Sequence, residues 1–326
     1  MAFVRPWLLF SIGMVLLVGS TAALTFVIVP DLRNPPTEQR MAMPVPGADD
    51  AGRSGPPPEA PLVATPPPAN LPTVDYWPPP PAGFPSDPAP LSTTPLREAL
   101  HPTVPVGAYD APGGRPLAWL APTIRGVELT MPVIERRAGW AAVLLPSVNR
   151  SVAWVPPGGW TTVPLRDQLV VARRTHQLFW LRDGGLVRSW RVSLGVRQTP
   201  TPLGRTFVLG RSTLAGEVYA DTDVFALGAV PDDPGAIPPA LKGAHIGVHT
   251  WYHDRELGRN TTDGCIRLTK KGQRELLTEI RPGTSLVVVD RFSAPATQQP
   301  ALTPSAAAAP TPSGRSAARS GSRPAA

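Results

Sequence analysis

The stretch from His245 to Thr269, HIGVHTWYHDRELGRNTTDGCIRLT, holds three of the chain's five histidines and its single cysteine, Cys265. A lone thiol is either a small core residue or a nucleophile. A nucleophilic cysteine needs a base or a positive neighbour, because only the thiolate attacks. His249 ends a β-like segment, and a polar loop separates it from Cys265. The spacing predicts that neighbouring strands bring the imidazole and the sulfur together.

Two neighbours of the cysteine fit this chemistry. Gly264 lets the backbone approach a substrate closely, so the amides of Gly264 and Cys265 can face a developing oxyanion. Arg267 can lower the pKa of the thiol or bind a carboxylate in a bidentate manner. The pattern therefore indicates a thiol kept for nucleophilic attack on a carbonyl, with the inert core cysteine as the alternative.

The surrounding residues predict a mainly β domain over 166–291. Short apolar runs alternate with turn signals, such as Gly184-Gly185, and TSLVVVD supplies a closing strand. One segment, TKKGQRELLTEI, has helical periodicity, with Leu276, Leu277 and Ile280 on one side. Thr269 is its expected N-cap, and Pro282-Gly283 ends it. The fold class is therefore mainly β with one helix.

Three motifs in this domain resemble the L,D-transpeptidase (YkuD-type) family of peptidoglycan cross-linking enzymes. His249 followed by TDGCIR, Thr262 to Arg267, is similar to the family's histidine, loop and Gly-Cys signature. TPTPLGRTFVLG, Thr199 to Gly210, resembles its strand entry, and PGTSLVVVD resembles its terminal strand. The resemblance implies a β-rich catalytic domain that acts on peptidoglycan stem peptides without a metal or another cofactor.

The resemblance also assigns roles to individual residues. Cys265 would attack the carbonyl after the third residue of a tetrapeptide stem and release the terminal D-alanine. An amine from a neighbouring stem would then resolve the thioester into a 3–3 cross-link. His249 would be the general base, the Thr250 carbonyl would orient its ring, and Gly264 would supply an oxyanion amide. The expected substrate-binding residues are Trp251, Thr262, Asp263 and Arg267.

One departure and three alternatives stay open. Asp263 stands where the family has histidine, and a carboxylate there would raise the pKa of the thiol unless it is turned away or paired with Arg267. Water in place of the amine would make the protein an L,D-carboxypeptidase, and a dead site would leave a wall-binding pseudoenzyme. A paired-histidine metal site at His245 and His249 would still need a third ligand.

The segments before this domain predict a tethered, exported protein. Residues 7–29 form an uncharged run of 23 residues, long enough to span a hydrocarbon core of roughly 30 Å. We interpret 1–33 as an uncleaved transmembrane signal anchor with the catalytic domain on the extracytoplasmic side; a cleaved signal peptide is the alternative. Many of the chain's 45 prolines lie in residues 34–105, and this density of proline predicts a disordered linker there.

Two further segments complete the predicted organisation. Residues 106–165 have short strands separated by Gly and Pro turns and resemble a bacterial SH3-like β-barrel module. The tail, 292–326, is rich in Ala, Pro and Ser and reads as disordered. The net charge of +7 favours polyanionic partners such as anionic wall polymers. Nucleic acid is not expected as a partner of an exported protein.

Overall fold

A computed structural model describes residues 62–76, 80–147, 150–212, 223–228, 246–251 and 253–295. The predicted anchor, most of the tail and the linker up to residue 61 lie outside these ranges. Within them, no helix is long and apolar enough to cross a membrane.

The N-terminal unit of the described structure is built from short strands. They are β1 (Glu98–Pro102), β2 (Val106–Tyr109), β3 (Pro116–Leu120), β4 (Thr123–Ile124), β5 (Val127–Glu128), β6 (Met131–Arg137), β7 (Trp140–Leu144), β8 (Val152–Val155) and β9 (Trp160–Pro164). Seven of them form one antiparallel sheet in the order β3-β2-β8-β7-β6-β1-β9, and β4 pairs with β5. Strands β3 and β9 are the two edges of this sheet, and no pairing within the described residues joins them to close a barrel. The SH3-like barrel therefore stays a prediction.

The tryptophans of this unit mainly serve packing. Trp140 is fully buried, its ring meets Tyr109 edge-on at 5.0 Å between centroids, and its Nε1–H donates to the Leu62 carbonyl. Trp154 is also buried, with the Arg137 guanidinium over its ring. An indole buried in this way needs a partner for its N–H.

The proline-rich segment differs from the disordered linker expected over 34–105. Val74 and Tyr76 are buried in the core of the N-terminal unit, and the backbone at Thr73 forms a parallel bridge with Trp119. Strand β1 also lies within the range expected to be disordered. The reason is physical: prolines lack only the N–H, so the residues between them can still pair at a sheet edge and bury apolar side chains.

The C-terminal unit carries the remaining strands and the helix. They are β10 (Asp167–Ala172), β11 (Gln177–Arg182), β12 (Gly185–Arg191), β13 (Leu194–Gly195), β14 (Gly204–Ser212), β15 (Val224–Leu227), β16 (Gly247–His249), β17 (Asn260–Thr262), β18 (Ile266–Arg267), α1 (Lys270–Glu279) and β19 (Ser285–Val289). Short 3-10 helices lie at Arg173–Thr175 and Asp254–Glu256. The prediction of a mainly β fold with one helix is confirmed.

Eight of these strands form a mixed sheet in the order β12-β11-β10-β19-β14-β15-β16-β18. The pairs β10/β19 and β16/β18 are parallel, and β13 pairs in parallel with β17 beside the end of the sheet. Helix α1 begins where predicted, because the Thr269 hydroxyl accepts a hydrogen bond of 3.0 Å from the Gly272 N–H. It ends before Pro282, and Leu276 and Ile280 are buried.

The two faces of this sheet have different partners. On the helix-side face, Val208, Phe225, Val248 and Ile266 share a core with Leu276 and Ile280 at the end of α1. On the opposite face, which we call the site-side face, Phe207, Leu209 and Ala226 join the core of the N-terminal unit. Alternation along each strand produces this division.

An ion pair buried between the two units reinforces their contact. Arg205 on β14 makes a bidentate contact with Asp87, with hydrogen bonds of 2.9 and 2.5 Å, and the two side chains are 5% and 1% exposed. Breaking such a pair leaves a buried charge uncompensated, which typically costs about 3–5 kcal/mol. The N-terminal unit therefore covers part of the site-side face permanently.

Candidate active site

Strands β16 and β18 bring His249 and Cys265 to one face of the sheet. Val248 lies opposite Ile266, and both side chains face the helix-side core. Gly247, His249, Cys265 and Arg267 alternate with them and therefore belong to the site-side face. From a rise of ~3.3 Å per residue and a strand spacing of ~4.8 Å, the Cα atoms of residues 249 and 265 lie about 8 Å apart. The register thus places the two residues on adjacent strands of the same face.

The tautomer of His249 follows from its hydrogen bond. Its Nδ1 lies 2.6 Å from the carbonyl oxygen of Thr250, and a carbonyl can only accept. The proton is therefore on Nδ1, and Nε2 keeps the lone pair that a general base needs. Both His249 and Thr250 are buried, which fixes the ring.

The electrostatic surroundings keep His249 neutral. The pKa of its imidazole is lowered to about 4, mainly by burial; the hydrogen bond to Thr250 opposes the shift, and the Arg267 charge adds a smaller lowering. A proton on Nε2 is thus unfavourable at neutral pH. The resting imidazole is a neutral base that gains its proton only during a reaction.

The Cys265 thiol is also held in its neutral form. Burial raises the pKa of the thiol, while a backbone hydrogen bond from Gly247 and the Arg267 charge lower it. Asp263 contributes a smaller rise, in the direction expected from the sequence. With both groups uncharged, the site favours deprotonation of the thiol by His249 as it attacks, rather than a standing ion pair.

The environment of Arg267 differs from the expected open carboxylate site. Its guanidinium carbon lies 3.4 Å from the centroid of the Trp251 ring, and Nη1 lies 3.5 Å from Glu256. The Trp251 ring also meets the His249 ring at 6.2 Å between centroids. Arg267 and Trp251 therefore form a stack beside the imidazole. The charge of Arg267 is partnered by Glu256 rather than by Asp263.

Hydrogen bonds within the turn connect Thr262, Gly264 and Cys265. The buried Thr262 hydroxyl accepts from the Gly264 N–H at 3.1 Å and donates to the Cys265 carbonyl at 2.7 Å. Thr262 thus shapes the loop that carries the cysteine, and the Gly264 N–H has an acceptor within that loop. Gly264 has φ +107°, a conformation that favours glycine.

Asp263 points out of the turn and is exposed. Its carboxylate accepts a long hydrogen bond of 3.4 Å from the Thr199 hydroxyl, at the start of the TPTPLG segment. The same segment supports the site through Thr201, whose hydroxyl accepts from the Gly195 N–H at 2.9 Å. Asp263 is therefore exposed and hydrogen-bonded to Thr199, and it is the smallest of the causes that act on the pKa of the Cys265 thiol.

Other sequence candidates contribute less to this site. His253 is exposed, and His245 lies outside the described residues. Within the part of the chain that the structure describes, no group of three His, Cys, Asp or Glu side chains could hold a metal ion. Sequence reasoning did not identify Glu256 or Gly247, because their roles depend on pairing between distant segments.

The C-terminal unit is similar to several known proteins. A Bacillus licheniformis protein named as a candidate L,D-transpeptidase, YkuD, is 25% identical over 127 residues, which cover 39% of this chain and 67% of that protein. An L,D-transpeptidase structure from Mycobacterium smegmatis is 16% identical, covers 43% of this chain and 74% of its own, and has a TM-score of 0.31. The catalytic domain of the E. faecium L,D-transpeptidase is 19% identical. That match covers 38% of this chain and 96% of the other, with a TM-score of 0.28.

The family comparison covers the segment that contains both reactive side chains. Residues 166–289 match the model of the L,D-transpeptidase catalytic domain, the YkuD family.

Proposed function

We propose that this chain is a peptidoglycan L,D-transpeptidase that forms 3–3 cross-links through a thioester on Cys265. The observation that carries the proposal is the fixed His249 ring, with its proton on Nδ1 and its neutral Nε2, on the same sheet face as the only thiol of the chain. The match of residues 166–289 to the family supports the choice of peptidoglycan stem peptides as substrate.

Acylation would proceed by general-base catalysis. Nε2 of His249 takes the thiol proton while the sulfur attacks the carbonyl carbon after the third residue of the donor stem. The carbonyl oxygen becomes an oxyanion and accepts from the Cys265 N–H. Collapse of this tetrahedral intermediate breaks the amide bond, and His249 returns its proton to the departing amine of D-alanine. The products are a thioester and a free amino acid.

Resolution of the thioester would run in the reverse sense. The side-chain amine of a neighbouring stem attacks the thioester carbonyl, and His249 accepts a proton from that nitrogen. The carbon–sulfur bond breaks, and the proton passes to the sulfur. Water in place of the amine would hydrolyse the thioester, which is the carboxypeptidase outcome.

A muropeptide assay with the full chain tests the proposal. Tetrapeptide donors are incubated with and without an acceptor stem, and the products are identified by mass spectrometry. We expect a cross-linked dimer and free D-alanine, and neither with Cys265→Ala. Tripeptide alone, even with acceptor present, would identify a carboxypeptidase.

Acylation by a carbapenem separates an active thiol from a pseudoenzyme. An intact-mass shift of the wild-type protein and its absence in Cys265→Ala are expected. An unmodified wild-type protein that is correctly folded would refute the enzymatic proposal.

We further propose that the catalytic domain works on the extracytoplasmic side of a membrane, tethered through residues 7–29. The charge of +7 supports contact with anionic wall polymers. Fusion of a periplasm-active reporter to the C-terminus tests the orientation: activity is expected, and activity of a cytoplasm-dependent reporter instead would contradict it.

A further inference from the structure

The proline-rich segment before β1 forms an ordered edge of the N-terminal unit. The Val74 N–H donates to the Trp119 carbonyl at 2.9 Å, and the Trp119 N–H donates to the Pro72 carbonyl at 2.8 Å. Residues 72–76 thus follow β3 as an added strand. Their position along β3 is fixed by these two hydrogen bonds.

A charged clamp fixes the residue that precedes Tyr76. The Arg125 guanidinium donates to both carboxylate oxygens of Asp75, at 3.0 and 2.6 Å, and Asp75 also accepts from the Tyr76 N–H at 2.7 Å. Arg125 and Gly126 form the positive-φ turn between β4 and β5. Bidentate arginine contacts add geometric specificity.

The hairpin that carries Arg125 lies against the catalytic sheet. A Cβ atom added at Gly210 on β14 would come within 3.3 Å of the Val127 side chain on β5. The clamp therefore positions residues 75 and 76 relative to the site-side face as well as relative to β3.

The Tyr76 side chain belongs to the core that this face shares with the N-terminal unit. It is 4% exposed and shares a core with Leu209 and Ala226. Ala226 is opposite Gly247 in the β15–β16 register, and the Gly247 backbone hydrogen-bonds the Cys265 sulfur. Electrostatics agree with the packing: burial raises the pKa of Tyr76, and Cys265, when it is ionised, adds to the rise.

We propose that Tyr76 is a positioning residue of the active site: its ring closes the space beside Cys265 from the N-terminal side and forms a wall against which the acyl-donor peptide lies. The second part of this statement rests on the proposed transpeptidase function. Residues 166–289 alone lack this wall, so the catalytic unit is complete only with the segment around residues 72–76.

The first test measures the reactivity of the thiol and does not depend on enzymatic activity. Iodoacetamide alkylation of the full chain is followed by intact mass against pH; Cys265 is the only cysteine, so each adduct reports that site. The charged and titratable groups around it are His249, Arg267, Asp263 and Tyr76. Because burial is the main cause of the raised pKa of the thiol, admitting water in Tyr76→Ala should lower it. If the pKa of the thiol falls by one unit, the thiolate fraction at neutral pH rises about tenfold, and alkylation becomes faster by the same factor.

Conservative and remote variants distinguish closure by the ring from a general loss of structure. Tyr76→Phe keeps the ring and should keep the wild-type pH profile. Arg125→Asn removes the clamp, leaves a residue that tolerates the turn, and should shift the profile as Tyr76→Ala does, by a smaller factor. Arg115→Asn removes an exposed pair with Asp110 in the same unit and should change nothing. The melting temperature of each variant is recorded alongside.

The second readout is the Michaelis constant for the tetrapeptide donor. Tyr76→Ala should raise KM more than it lowers kcat, since the wall positions the donor and does not take part in proton transfer. Unchanged alkylation and unchanged KM in folded Tyr76→Ala and Arg125→Asn would overturn the proposal. If Tyr76→Ala shifts the alkylation profile but the wild-type protein forms no cross-links, the proposal that Tyr76 closes the site stands and the proposed transpeptidase function is rejected.

Discussion

The two faces of the eight-stranded sheet use the same strands for different purposes. The helix-side face is apolar and continuous from β14 to β18, where Val208, Phe225, Val248 and Ile266 meet helix α1. On the site-side face, the residues that alternate with the last two of these are Gly247, His249, Cys265 and Arg267. Packing of the apolar helix-side face therefore fixes the positions of the polar and reactive residues on the site-side face. Substitutions on the two faces should separate stability from activity.

The largest effect is expected for His249→Gln. Loss of the general base should lower the rate of cross-linking by about 10²–10⁴-fold, while the free energy of unfolding at neutral pH changes little. Steady-state kinetics with a tetrapeptide donor measure the first quantity, and chemical denaturation measures the second. A variant that retains the wild-type rate would remove His249 from the mechanism.

The opposite result is expected on the helix-side face. Phe225 is fully buried, so Phe225→Ala should lower the free energy of unfolding by about 3–5 kcal/mol through lost burial and a cavity. Phe225→Leu, the matched control, should cost less. Urea denaturation provides the comparison, and a near-zero cost for Phe225→Ala would show that this face does not support the sheet.

Of the two faces, the site-side face should add a pH dependence of stability through His249, because the helix-side residues named above carry no titratable group. The pKa of His249 is lowered from 6.5 to about 4 in the folded protein, so between these values only the unfolded chain binds the proton. The free energy of unfolding should fall as the pH drops from 6.5 to 4, by up to about 3 kcal/mol from this residue. Comparison with His249→Gln isolates the contribution, since carboxylates titrate in both proteins. Parallel curves for the two proteins would contradict the buried neutral imidazole.

A smaller effect on both stability and reactivity is expected at Thr262, in the turn that leads to Cys265. Thr262→Val removes the hydroxyl that accepts from the Gly264 N–H and donates to the Cys265 carbonyl. Leaving these groups unpaired should cost about 1–3 kcal/mol of unfolding free energy and slow carbapenem acylation. Thr262→Ser keeps both hydrogen bonds and should behave like the wild type. Equal behaviour of the valine and serine variants would show that the turn does not depend on the hydroxyl.

The sequence predicted the parts of this molecule that depend on local pattern. The helical period from Thr269, its cap and its end at Pro282-Gly283 are all encoded within a few residues of each other, and α1 confirms them. The placement of His249 and Cys265 at neighbouring strands was inferable because one ends a strand and the other precedes one. The surrounding strands likewise followed from alternation and turn signals.

The parts that depend on contacts between distant segments escaped the sequence. The burial of Tyr76 requires β3, the hairpin of Arg125 and the site-side face, so proline content alone suggested a disordered linker. The Gly264 amide was expected at an oxyanion, but the Thr262 hydroxyl two residues away accepts its hydrogen bond. The contacts of Arg267 with Glu256 and Trp251 also join separate segments and were not inferred. Side-chain direction decides each of these cases, and local composition does not encode it.

The most direct test of the central claim, a neutral thiol deprotonated by a neutral His249, is the pH profile of carbapenem acylation in the wild type and in His249→Gln. The wild-type rate should stay level through neutral pH and fall only as the pH approaches about 4, where the imidazole is protonated. The variant should be slow at neutral pH and should accelerate as the thiol itself ionises. Superimposable profiles would contradict the claim.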